Sequence, residues 1–172
     1  MSAQAATLER ENGAVIAYHH SPGSTPGVIF CTGFKSDMQG TKALALEKDC
    51  RARGIQFTRF DYQGHGKSSG EFIDGTIGEW LDDTLAVLDS VTEGSQIIVG
   101  SSMGGWIGLL AACARPEKVV GFVGIAAALD MARRIWDRID DATKQLLETE
   151  GVWMRPSEYD PAAYPITMRL IE

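Results

Sequence analysis

The sequence predicts an α/β fold: a mostly parallel sheet with helices packed on both faces. Three observations point to it. Apolar runs of buried-strand length recur at residues 28–33, 55–61, 96–100 and 119–128. Stretches of helical patterning lie between them. The joints carry chain breakers, with Gly54, Gly94 and Pro116 each standing where one element stops. No internal repeat or low-complexity segment interrupts this alternation.

In chain order, residues 14–19 read as an edge strand and Ser21 to Gly27, with two prolines and two glycines, as a turn. After the strand at 28–33, Ser36 or Asp37 can cap a helix running to about Arg53, where Gly54 takes the C-terminal glycine position. A glycine-rich loop, Gln63 to Gly75, follows the strand at 55–61. Thr76-Ile-Gly-Glu79 is a capping box. The helix it opens carries Ile77, Trp80, Leu81, Thr84, Leu85, Leu88 and Val91 along one face. Met103 to Ala114 is a small-residue helix. Beyond Ala128 the pattern changes. Residues 131–139 and 142–150 read as short helices, residues 151–165 as loop, and no strand pattern returns before Glu172.

Composition excludes several classes. A chain of 172 residues with 44% hydrophobic and 23% charged residues is long enough to bury a core and is neither disordered nor fibrous. A net charge of −7 and the lack of any basic run argue against nucleic acid as a partner. The longest apolar run, Val119 to Leu129, is too short for a membrane span, which needs about 20 residues. The first ten residues carry no signal-peptide pattern. Cys31, Cys50 and Cys113 are odd in number and lack CxxC spacing. They read as reduced, mostly buried thiols of a cytoplasmic protein.

The chemistry concentrates at Gly100-Ser101-Ser102-Met103-Gly104. This is G-x-S-x-G directly after an apolar strand and directly before a helix. A nucleophile at such a turn needs a strained backbone, glycines on either side to make room, and free helix-terminal amides facing the developing oxyanion. Ser102 is the candidate nucleophile and the Met103 N–H one oxyanion donor. Cys31-Thr32-Gly33-Phe34 ends an earlier strand, and the Phe34 N–H is the natural second donor.

Asp61-Tyr-Gln-Gly-His-Gly-Lys-Ser-Ser69 nearly matches a P-loop, but Asp61 occupies a required glycine position, where a carboxylate repels phosphate. No dinucleotide fingerprint spans the glycines at 100–108. His65 lies in this loop, where a turn role outweighs that of a base; His19 and His20 flank an edge hairpin and read as solvated.

These motifs give the chain a resemblance to the α/β-hydrolase superfamily. The matching pieces are Thr32-Gly33-Phe34, Phe60 to Ser68, and Gly100 to Trp106. Within it, the chain looks most like the palmitoyl-protein thioesterase and acyl-glucuronide esterase branch. Gly40 to Ala45, Val99 to Trp106, Ala114 to Val120 and Gly151-Val152-Trp153 carry that likeness. The resemblance implies Ser102 as nucleophile, the Phe34 and Met103 amides as oxyanion hole, His65 as part of a structural turn, and no metal or organic cofactor. It implies a core at residues 1–129, a small cap-like helical insertion at 130–165 over an acyl pocket, and the start of a further segment at 166–172.

One departure stands out. The superfamily's triad runs Ser, then Asp or Glu, then His along the chain, and here no histidine follows Ser102. Asp130 is a weak candidate acid; an N-cap role outweighs it. The resemblance therefore reads as a C-terminally incomplete fold, with the strand at 119–128 left as an apolar edge. That edge calls for self-association or a missing segment to cover it. The leading expectation is a serine hydrolase acting on a small-molecule acyl ester or thioester. The alternative is a non-catalytic binding protein that keeps the fold. Trp136, Trp153, Met131 and Met154 suggest an apolar lid, though plain core is the commoner use of such residues.

Overall fold

The computed structural model describes residues 4–156 and 163–172. Six strands form one sheet in the order β1-β2-β4-β3-β5-β6. These are β1 (Ala6–Glu9), β2 (Val15–Ser21), β3 (Ser24–Cys31), β4 (Ile55–Phe60), β5 (Gln96–Ser101) and β6 (Val119–Ile125). The four from β4 through β6 run parallel, while β1 and β2 are antiparallel additions at one end.

Alternation along the strands sorts side chains to opposite faces. Ile29, Cys31, Phe60 and Ile98 join the larger core with residues of α2 (Ile77–Ser90) and α3 (Met103–Ala114). Phe30, Phe57 and Val99 join a smaller core with Ala43 and Cys50 of α1 (Thr41–Ala52). The sheet is thus covered on both faces, as expected. In α2 the predicted stripe is buried or half-buried, and Thr76 caps it, accepting the Glu79 amide at 3.1 Å. Glu79 completes the box differently: its carboxylate receives the Thr76 hydroxyl at 3.3 Å and Arg169 at 2.8 Å.

Several boundaries differ from the sequence reading. The helix expected from Ser36 or Asp37 begins at Thr41, with Gly40 at its N-cap. The Asp37 carboxylate instead accepts the Gln39 amide at 2.7 Å, so it closes a local turn rather than a helix. β3 starts inside the expected turn at 21–27, with Pro26 at an irregularity in its pairing to β4, where a missing N–H is tolerated. β6 ends at Ile125 rather than 128, because Ala126 takes a φ of +47°.

The segment read as loop at 151–165 contains β7 (Val152–Arg155), which pairs antiparallel with β8 (Tyr164–Thr167). Trp153 faces Ile166 in that register. Before it stand α4 (Met131–Trp136) and α5 (Asp141–Glu150), and after it α6 (Met168–Ile171). Of the thiols, Cys31 and Cys50 are buried, burial pushing Cys31 up to about 12, whereas Cys113 is exposed.

Candidate active site

Ser102 occupies the sharp turn between β5 and α3, with φ +53° and ψ −120°. No serine adopts that region without cost, and such strain persists only where surrounding bonds impose it. Two come from the end of β6 and its exit: the Ser102 N–H donates to the Ile125 carbonyl at 3.0 Å, and the Ser102 carbonyl accepts the Ala128 N–H at 2.9 Å. The hydroxyl makes no capping hydrogen bond.

The flanking glycines are required by contact. A Cβ at Gly100 would lie 2.3 Å from the Gly104 carbonyl oxygen, and one at Gly104 2.2 Å from the Cys31 oxygen. At Gly105 it would lie 2.5 Å from the Ala127 Cβ. Met103 is the first residue of α3, whose leading amides have no intrahelical acceptor.

The loop after β3 meets this turn. A Cβ on Gly33 would stand 3.5 Å from the Ser102 Cβ, ordinary contact distance. A cavity of about 320 Å³ is lined by Gly33, Phe34, Ser101 and Ser102, with Lys42 and Tyr164 among its other walls. The structure therefore brings Phe34 and Ser102 to one cavity, with Met103 the buried next residue.

Asp61 holds this loop in place. Its buried carboxylate accepts the Met38 amide at 2.6 Å and the Lys67 amide at 2.8 Å. Burial raises its pKa against those two bonds.

His65 lies apart from Ser102. Its ring packs among Phe72, Trp80 and Tyr62 at centroid distances of 4.9, 5.1 and 5.5 Å, and Nδ1 meets the Gln63 carbonyl at 3.1 Å. Burial lowers its pKa, with that carbonyl pulling the other way. This is a structural turn, stapled further by Trp80 Nε1 donating to the same carbonyl at 3.0 Å. Asp130 takes the N-cap position of α4 at φ +54° but caps nothing with its side chain. Among the described residues, neither cavity near Ser102 is lined by a histidine or a carboxylate, and no group of three metal-ligating side chains occurs.

A second cavity, of about 490 Å³, shares Met131, Ile135 and Arg155 with the first. Met131 and Trp153 line it and also pack against the larger core, while Met154 is exposed and Trp136 lies beneath Lys144 at 5.5 Å. Arg134 and Arg138 also line it. Sequence reasoning passed over these two; Arg134 lies on α4 and Arg138 in the turn just beyond it.

A family model described as serine aminopeptidase, S33, matches residues 24–166. The chain belongs to this family. The chain is also similar to mitochondrial palmitoyl-protein thioesterase ABHD10. It is 45% identical to the mouse protein over 157 residues, 91% of this chain and 53% of the relative. To the human protein it is 44% identical over 152 residues, 88% of this chain and 50% of the relative. It spans about half the length of these curated relatives.

Among solved structures, mouse α/β hydrolase domain-containing protein 10 superposes with a TM-score of 0.90 at 42% identity, covering 98% of this chain and 68% of that one. A putative hydrolase from Agrobacterium vitis gives 0.90 at 36% identity, covering 98% and 69%. The fold is the α/β-hydrolase fold, C-terminally short beside these neighbours.

The cytoplasmic expectation is corrected by these names, since the ABHD10 relatives are mitochondrial proteins. Buried reduced thiols and an acidic composition suit any reducing compartment and do not single out the cytosol. No helix among the described residues is long and apolar enough to cross a membrane.

Proposed function

We propose that the chain carries the nucleophile-bearing part of a serine hydrolase that cleaves carboxylic ester or thioester bonds. The observation that carries this reading is the strained Ser102 backbone at the β5–α3 turn, with the Gly33–Phe34 loop on the same cavity. Ser102 Oγ attacks the acyl carbon as its proton passes to a base. The amides of Phe34 and Met103 hold the oxyanion, the alcohol or thiol leaves with a proton, and water then releases the acid from the acyl-enzyme. The names of the ABHD10 relatives favour a thioester of a long-chain acyl group.

Residues 1–129 serve as the core, residues 130–165 as a cap over the acyl pocket, and residues 166–172 open a further segment. The base is a histidine that these residues do not supply at Ser102, since His65 is committed to its aromatic pocket. A serine without its base keeps only the weaker catalysis of oxyanion hole and binding. Small-molecule esters and thioesters are the substrates on this reading, without a metal or organic cofactor.

The test is labelling with a serine-directed fluorophosphonate. The 172-residue chain and any longer product of the same reading frame are compared with their Ser102→Ala variants. Labelling of the longer product that disappears in Ser102→Ala is expected. Absence of Ser102-dependent labelling at both lengths overturns the enzyme reading and leaves a binding protein that keeps the fold.

A further inference from the structure

Two neighbouring cavities, one lined by Ser102 and the other by residues of the α4 region, have an unusual charge. The chain as a whole is acidic, at −7. Yet the walls of these two cavities, which share Met131, Ile135 and Arg155, carry Lys42, Arg134, Arg138 and Arg155 and, among the described residues, no carboxylate. The 23 acidic side chains outnumber the 16 basic ones, so random lining would favour the opposite sign.

The neighbouring charges on α4 do not cancel this set. Arg133 pairs with Asp137 at 3.6 Å, one turn on and outside the cavity lining. That leaves Arg134 of α4 and Arg138, in the turn just beyond its end, to line the cavity. Asp130, at the start of the helix, is exposed and does not line the cavity either.

The rest of the larger cavity's lining is apolar. Ile135 is buried, and Met131, Ile139 and Trp153 are half-buried around it. A space of about 490 Å³ lined by apolar side chains and three arginines has the size and composition of a small-ligand site. Guanidinium groups bind carboxylate and phosphate through paired N–H donors, which a neutral hydrocarbon chain cannot use. A cavity meant for an uncharged chain alone has no need of three of them.

We propose that this cavity is an anion subsite of the hydrolase: it takes an apolar segment of the ester substrate that ends in a carboxylate or phosphate, held by Arg134, Arg138 and Arg155. The inference rests on the reading of Ser102 as nucleophile, because it identifies the cavity as part of the substrate's path. The arginines act on binding and orientation rather than on the acyl carbon. The anion can ride on the far end of the acyl group or on the leaving group; both present the same chemistry to the arginines.

The test is a binding measurement, so that it does not depend on turnover. Isothermal titration is run on the Ser102→Ala chain with two matched pairs. Monomethyl suberate against dimethyl suberate places the anion at the acyl end. S-octanoyl thioglycolate against its methyl ester places it in the leaving group. At least one anionic member is expected to bind 10-fold or more tighter than its neutral partner, and the better pair identifies which end carries the anion. In Arg134→Gln/Arg138→Gln, both exposed and with no role in the core, the preference falls to 3-fold or less while the far-UV spectrum is unchanged. Arg134→Glu/Arg138→Glu reverses the preference toward the neutral member.

Equal binding within both pairs, no binding by any of the four compounds, or a preference that survives the double substitution each overturns the subsite. Loss of fluorophosphonate labelling alone would overturn the nucleophile reading while leaving these affinities as measured, so the two failures are distinguishable.

Discussion

Gly104 rests against the end of β3 so closely that a Cβ at this position would stand 2.2 Å from the Cys31 carbonyl oxygen. The nucleophile turn and the strand that launches the Phe34 loop are therefore built in direct backbone contact. Neither backbone has a flexible side chain that could give way. The geometry of Ser102 and the placement of the Phe34 amide depend on the same contact.

Gly104→Ala should therefore separate the two halves of the site. Overpacking of this kind costs about 1–3 kcal/mol, and here the obstacle is backbone on both sides. A fall in the thermal midpoint should accompany loss of Ser102-dependent fluorophosphonate labelling in any length of chain that labels. Unchanged stability in calorimetry would show that the turn can open without cost.

The φ of +53° at Ser102 predicts a difference between two small substitutions. Ser102→Ala retains the strain, whereas Ser102→Gly relieves it at the expense of a more flexible unfolded chain. Relief of left-handed strain is worth about 1–3 kcal/mol and glycine's entropy returns about 0.5–1 of it. Ser102→Gly should be the more stable of the two by about 1 kcal/mol in urea titration. The reverse order would mean that the turn is not strained.

Asp61→Asn tests the tie between the two loops. The carboxylate accepts one amide on each oxygen, from Met38 and Lys67. Asparagine keeps one acceptor and turns a donor toward the other amide. An unpaired buried donor costs about 1–3 kcal/mol, so a loss of that size is expected. Hydrogen exchange should rise together at Met38 and Lys67. A rise at only one of them would mean that the loops are held independently.

His65 should make the fold sensitive to mild acid. Burial holds its pKa below the usual 6.5, so the folded chain prefers the neutral ring. That contribution is complete above pH 6.5 and is lost as pH falls from there through the lowered native value. His19 and His20 are shifted the same way, also by burial first. His65→Phe keeps an aromatic ring in the pocket and removes one titrating group. Its stability should fall less steeply below pH 6.5 in pH-resolved urea titrations. An unaltered slope would show that the ring is not buried neutral.

How far this architecture was legible depended on the physical range of each signal. Buried parallel strands leave continuous apolar runs, so β3 to β6 were visible, and G-x-S-x-G located the turn at Ser102 because its glycines answer contacts only a few residues away. β1, four residues of which only Leu8 is half-buried, leaves no such mark. The β7–β8 hairpin is equally short; its partners come together across residues 157–162, which lie outside the described set.

Asp83 was hidden for another reason. It interrupts an apolar stripe as a charge, yet it is fully buried because Arg10 reaches it at 2.7 Å and the Gln63 amide at 2.8 Å. Partners 73 and 20 residues away cannot be read from local pattern. Arg134 and Arg138 were not legible as a site, because only the fold brings them to one cavity with Trp153 and Arg155.

The clamp on Ser102 reaches out to the margin of the sheet. Ile125 and Ala128, which grip its amide and carbonyl, belong to the end and exit of β6. Among the described residues β6 is paired on its β5 side alone, with Val120 and Val123 more than half open or nearly so at 60% and 50%. The nucleophile's backbone is thus anchored to the outermost described strand of the sheet, so a change along that border reaches the Ser102 amide and carbonyl through only two hydrogen bonds.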